Sequence, residues 1–127
     1  MTLYINTASH DEIIIALRSD AKIVAQKKII APRQQAEKLM PAIDRLLREK
    51  RIKLSALKKI VVANRGGSFT ALRIGVITAN ALAYALKIPV VAEGKTGQKN
   101  KKFAAYSLVE PLYDREPTIG KSKKSYF

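Results

Sequence analysis

The 127 residues contain no cysteine, no tryptophan and a single histidine. Without thiols there are no disulfides, no thiolate zinc sites and no sulfur nucleophile. His10 stands in a polar break, Asn6 to Asp11, with Asp11 and Glu12 as its only neighbouring carboxylates. Adjacent residues rarely converge on one ion, so His10 reads as a surface turn, and no histidine is left to activate a serine. Acidic residues are scarce, 10 against 24 Lys and Arg, and most fall in turns or on helix surfaces. Acid–base chemistry needs placed carboxylates with tuned pKa values. No catalytic residue, metal or cofactor is therefore assigned, and an enzyme is not expected. Aromatics are thin at 6%, which disfavours base stacking on an exposed sheet. No apolar run is long and uncharged enough to span a bilayer, and Met1 to Asn6 lacks the pattern of a signal peptide, so a cytoplasmic location with no membrane contact is expected.

What is present is a basic, apolar-rich chain. Hydrophobic residues make up 47%, enough for a packed domain rather than disorder. The net charge of +14 suits a polyanion such as RNA or an acidic protein surface. Residues 95–127 carry 8 basic and 3 acidic side chains, and residues 1–94 carry 16 and 7, so the excess is spread along the chain.

Hydrophobic periodicity divides the chain. Leu3 to Asn6, Ile13 to Leu17 and Lys22 to Ile30 read as strands joined by short turns, a three-stranded antiparallel meander. Ala36, Leu39, Met40, Ile43, Leu46 and Leu47 then fall on one side of a helix from about 34 to 50, with Pro41 inside it as an expected kink. A brief helical turn near 55–58 precedes a strand at Ile60 to Val62. A long helix from Ser68 to about Leu86 and a strand to Ala92 complete a parallel strand–helix–strand unit. From 95 to 102 a Gly-, Lys- and Asn-rich stretch reads as a loop, and Phe103 to Val109 as either a further strand or the last ordered segment.

The second helix carries the strongest signal. Leu72, Val76, Ala79 and Ala83 make one stripe, and Ile74, Ile77, Leu82 and several alanines extend the apolar surface nearly all round. A helix apolar on most faces should be buried on most faces, and one small sheet shelters only one side. A partner surface is therefore expected, built from Leu39, Met40, Ile43 and Leu47 of the first helix with Phe69, Leu72, Arg73, Val76, Ala79, Asn80 and Ala83 of the second. Placing a carboxylate at Ala79 or Ala83 is expected to block assembly. The preceding loop, Arg65, Gly66, Gly67 and Ser68 with Thr70, combines permissive backbone, a helix cap and an anion-binding geometry. It has no Walker ending, and a tight turn plus a cap explains it equally well.

The run Gly67-Ser68-Phe69-Thr70-Ala71-Leu72-Arg73-Ile74-Gly75 resembles the signature of the bacterial TsaB (YeaZ) family, which usually reads Gly-Pro-Gly-Ser-Phe-Thr-Gly-Leu-Arg-Ile-Gly. Glu37-Lys38-Leu39-Met40-Pro41-Ala42-Ile43 resembles that family's first-helix motif, Leu3 to Thr7 its first strand, and Pro111 to Pro117 its C-terminal segment. The resemblance implies an α/β, ribonuclease-H-like or actin-like (ASKHA) fold with helices packed on the sheet. It also implies a non-catalytic subunit in the synthesis of N6-threonylcarbamoyladenosine at position 37 of tRNA. Such a subunit pairs through the two helices with a catalytic TsaD-type paralogue, joined by a TsaE-type ATPase, and homodimers use the same helices.

Three departures stand out. Asn6, beside Thr7, replaces the family's usual aspartate, making this a vestigial nucleotide-site position. Arg65-Gly66 replaces Gly-Pro, and Ala71 replaces a glycine. The match covers 1–94 and then 111–117, so the expected organisation is a domain over 1–94, a basic linker at 95–110 in place of the usual second domain, and an extended basic tail at 111–127. The alternative function is a basic tRNA- or RNA-binding module, or a homodimeric interaction subunit outside the modification reaction.

Overall fold

The computed structural model of the protein describes residues 1–9, 11–67, 69–93, 101–103 and 106–108, with Phe69 and the last two stretches described by backbone alone. The β-branched runs form β1 (Thr2–Asn6), β2 (Glu12–Ser19) and β3 (Lys22–Ile30), an antiparallel meander. The chain then runs through α1 (Gln35–Glu49), a short 3₁₀ turn (Leu54–Ala56), β4 (Lys59–Val62), α2 (Phe69–Leu86) and β5 (Val90–Ala92). β4 pairs in parallel with β1 on one side and with β5 on the other. The resulting sheet order, β3-β2-β1-β4-β5, is that of the ribonuclease-H-like, ASKHA-type fold.

Alternation along the strands decides which face the helices cover. Leu3 and Ile5 of β1, Ile13, Ile15 and Leu17 of β2, and Ile60 and Val62 of β4 all point to one face. There they join Leu39, Ile43, Leu46 and Leu47 of α1 and Val76, Ala79 and Ala83 of α2 in a single core cluster. β3 is an edge strand and exposes Ile23, Val24 and Ile30, but Lys22 and Lys28 on the same strand and a register shift at Leu17/Arg18 make it a poor template for further pairing.

Pro41 lies within a continuous α1, on its exposed side, where its ring meets solvent rather than core. A second hairpin, β6 (Lys101–Phe103) with β7 (Tyr106–Leu108), differs from the sequence expectation, because Lys101 and Lys102 belong to a strand and not to the loop. Their Lys- and Asn-rich surroundings hid a strand that pairing across the hairpin supports. The expected tail at 111–127 and most of the linker lie outside the described residues.

One polar contact sets how α2 sits on the sheet. Thr7, fully buried just past β1, donates its hydroxyl to the Ala71 carbonyl at 2.6 Å and accepts from the Gly75 N–H at 3.1 Å. Ala71 O and Gly75 N are an i, i+4 pair, so the hydroxyl binds α2 at a single rung of its ladder. The approach requires glycine, since a Cβ on Gly75 would lie 2.5 Å from Thr7 Oγ1. Gly75→Ala is expected to destabilise the fold by about 1–3 kcal/mol in urea denaturation. In a Thr7→Ala background the same change should cost distinctly less, because the obstructing hydroxyl is gone. Equal costs in both backgrounds would contradict this contact.

Candidate functional site

Two regions collect the residues singled out in the sequence. The first is the pole at the carboxyl ends of β1 and β4, where ligands bind in open α/β sheets. Asn6 projects there from β1. Its Oδ1 accepts from the Ala8 N–H at 2.8 Å, and its Nδ2 donates to the Tyr4 hydroxyl at 3.0 Å. Tyr4 in turn donates to Glu93 Oε1 at 2.9 Å, and the Arg18 guanidinium lies 4.8 Å from the Tyr4 ring centre.

An amide is needed at position 6 for this relay. An ionised aspartate could not donate to the phenol, and it would set a second carboxylate beside Glu93. Asn6 is therefore engaged by the chain itself, as is Thr7 through α2. Burial, then the hydrogen bond to Glu93, push the Tyr4 hydroxyl up to about 12, with Asn6 acting in the opposite sense.

The loop after β4 closes the same pole. Gly67 packs against the Ala8 carbonyl so closely that a Cβ would overlap it, and Gly66 has φ 86, a left-handed backbone that suits glycine. Arg65, Gly66, Gly67 and Thr70 are exposed, Arg73 is half-buried, and Ser68 and His10 lie outside the described residues. The exposed Arg65 guanidinium and the start of α2 suit an anion. Among the described residues no group of His, Cys, Asp or Glu is placed to hold a metal ion.

The second region is the pair of helices, and here the sequence expectation needs correcting. Leu39, Ile43, Leu47, Leu72, Val76, Ala79 and Ala83 were expected at a partner surface, yet all seven are buried within this chain, Ala79 at 0% exposure. They cover the sheet and each other, so they are not on offer to a partner. Of the other expected residues, Met40 is exposed at 44%, Arg73 and Asn80 are half-buried, and the Phe69 side chain lies outside the described residues.

The outward face of α2 is one that sequence reasoning did not choose. Ile77 is 57% exposed and Tyr84 59%, with Ala81 also exposed between them. The spacing 77, 81, 84 places the three on one face. A usable signal was present in Ala71, Gly75, Ala79 and Ala83. Small residues four apart mark the side where a helix approaches its neighbours most closely, and here those neighbours belong to the same chain. Glu49 near the end of α1 is held below the usual carboxylate range by its hydrogen bond from Lys27, which fastens α1 to β3.

Comparison with known proteins places this geometry. The family profile "TsaD: tRNA N6-adenosine threonylcarbamoyltransferase" matches residues 20–93. The "tRNA threonylcarbamoyladenosine biosynthesis protein TsaB" of Bacillus subtilis (strain 168) is 37% identical over 114 residues, 88% of this chain and 49% of its own length. The solved "YeaZ from Pseudomonas aeruginosa" superimposes with a TM-score of 0.66 at 31% identity, over 72% of this chain and 42% of that one.

The chain belongs to the TsaB/YeaZ family.

The same ancestry reaches the transferase side. The "tRNA N6-adenosine threonylcarbamoyltransferase" of Geotalea daltonii (strain DSM 22248 / JCM 15807 / FRC-32) is 42% identical over 62 residues, 49% of this chain and 18% of its own length. This TsaB/YeaZ chain thus spans about half the length of the TsaB relative and a smaller share of the transferase. Among the described residues no helix is long and apolar enough to cross a membrane.

The Tyr4 relay gives this family member a pH signature. The folded pKa of about 12 lies above the ordinary 10. The stabilisation is therefore fully present below pH 10 and is lost as the pH climbs through 12. Between those values the urea midpoint of the parent should fall more steeply than that of Tyr4→Phe. Parallel curves would show that the phenol does not titrate late in the folded state.

Proposed function

We propose that this chain is a non-catalytic docking subunit in tRNA N6-threonylcarbamoyladenosine biosynthesis. It pairs with a TsaD-type paralogue, and a TsaE-type ATPase joins the pair. Family membership and the name of the TsaB relative support the pathway. The single observation that supports docking is the exposed stripe Ile77, Ala81 and Tyr84 on α2, with Met40 exposed on the adjacent α1. A half-exposed isoleucine and tyrosine with an alanine between them, in mid-helix, form a surface that gains by being covered. Tyrosine also serves well at interfaces, with an apolar ring and a polar tip. Because the stripe lies on one helix face, it also suits a two-fold pairing with a second copy, which is the other occupant to test.

Ile77→Glu is expected to weaken co-elution with the TsaD-type partner by about 100-fold or more, because a carboxylate in a covered apolar face is costly to desolvate. Its melting temperature should match the parent's. Ala79→Glu should behave differently and lose the fold itself, since Ala79 is fully buried. Light scattering of the parent with and without the partner separates the homodimer from the heterodimer. An Ile77→Glu chain that folds and still assembles normally, with either partner, would contradict the docking face.

A further inference from the structure

The charge of this chain is polarised, and topology says where. α1 follows β3 and runs back to the start of β4, and α2 follows β4 and runs back to the start of β5. Both helices therefore end at the pole where β1, β4 and β5 begin. The Lys58 N–H donates to the Met1 carbonyl at 2.9 Å, Lys59 pairs with Thr2, and the Ile60 N–H donates to the Pro89 carbonyl at 3.0 Å. These contacts gather Lys50, Arg51, Lys53, Lys58, Lys59 and Lys87 at one end of the molecule, and all six are exposed. The described ion pairs join Lys27 to Glu49, Lys28 to Glu12 and Arg48 to Asp44, and none involves these six. Among the described residues the acids at this end are Asp20, in the β2–β3 turn, and Glu49, already paired with Lys27. Among the described residues the opposite pole is nearly balanced, with Lys28, Arg33, Lys38, Arg65 and Arg73 against Asp11, Glu12, Glu37 and Glu93.

Two of the six cations occupy positions where another residue would serve the fold better. Arg51 has φ 57 and Lys87 φ 58, each just past a helix end. The Ile52 N–H reaches back to the Leu47 carbonyl and the Ile88 N–H to the Ala83 carbonyl, closing both helices with the same motif. The left-handed residue of that motif is usually glycine, because a Cβ there is strained. A cation near a helix C-terminus is favoured by the dipole, and Arg48 already supplies one in the last turn of α1. At the end of α1 the dipole is thus already served and does not explain Arg51 in place of glycine, whereas the last turn of α2 holds no basic residue and Lys87 also serves the dipole there.

We infer that this pole is a contact surface for the phosphate backbone of RNA. The choice of RNA over other polyanions rests on the proposed function, in which the complex acts on tRNA. The pole is built from the opposite ends of α1 and α2 to those near the nucleotide-site position, and it uses none of the docking stripe. The same molecule can therefore hold a protein on the flank of α2 and an RNA at the helix ends.

The test uses the full chain and a fluorescently labelled tRNA transcript, with anisotropy read from 50 to 200 mM KCl. Six phosphate contacts predict an affinity loss of about a thousandfold over that range. Arg51→Gly/Lys87→Gly should reduce the salt slope by about 1.5, while raising the melting temperature by a few degrees because strain is relieved. Arg33→Gly/Lys38→Gln, which removes the same charge at the other pole and also relieves a left-handed arginine (φ 58), should stabilise the chain and leave the slope unchanged. Equal slopes for the two double variants, or no salt-dependent binding by the parent at 50 mM, would overturn the inference. So would polyglutamate competing as well as unlabelled tRNA at equal charge, which would assign the pole to an acidic protein. A parent chain that assembles with its partner but binds no tRNA would count against this pole alone. A parent chain that binds tRNA but does not assemble would count against the docking face alone.

Discussion

The bond pair between Thr7 and one rung of α2 determines what the rest of the molecule can present. α2 is apolar on nearly every side, so burial alone leaves its rotation about its own axis poorly determined. The Thr7 hydroxyl removes that freedom by meeting the Ala71 carbonyl and the Gly75 N–H together. Gly75 has no side chain to prevent the approach. Once that rung faces β1, Val76, Ala79 and Ala83 must face the core and Ile77 and Tyr84 must face outward. The exposed face of α2 is thus set by a polar contact on the opposite side of the helix.

The same economy appears at the carboxyl pole. Asn6 stands where the family resemblance leads one to expect an aspartate, and its amide is spent on Ala8 and Tyr4. Tyr4 passes the bond on to Glu93 at the end of β5. Side chains that could have faced a ligand instead tie β1, β2 and β5 together. The sites then separate by location. Tyr4, Asn6 and Thr7 near the carboxyl pole are committed to internal bonds, the flank of α2 offers apolar area, and the far pole carries the surplus cations.

Much of the fold was legible in the sequence. The isoleucine-rich runs gave the meander, and the switch from period two to period 3.6 gave α1 within a residue of its ends. The parallel arrangement of β4 and β5 followed from a helix of crossover length. The face of α2 was not legible from hydrophobicity, because Leu72, Val76, Ala79 and Ala83 look no more buried by composition than Ile74 and Ile77. The information lay instead in the size pattern of Ala71, Gly75, Ala79 and Ala83, together with a threonine 64 residues upstream of Ala71. Long-range polar contacts leave almost no local trace. The basic pole was hidden for a similar reason, since Arg51, Lys58 and Lys87 are distant in sequence and meet only through the topology.

α2 has one fixed orientation, and the absence of cysteine makes that orientation directly measurable. Single cysteines placed along α2 can be labelled with a thiol reagent under native conditions, each compared with its own rate in denaturant. Rapid native labelling is expected at positions 77, 81 and 84 and strong protection at 76, 79 and 83. Labelling at 79 and 83 with protection at 77 and 84, in chains that remain folded, would place the opposite face of α2 outward and contradict the account.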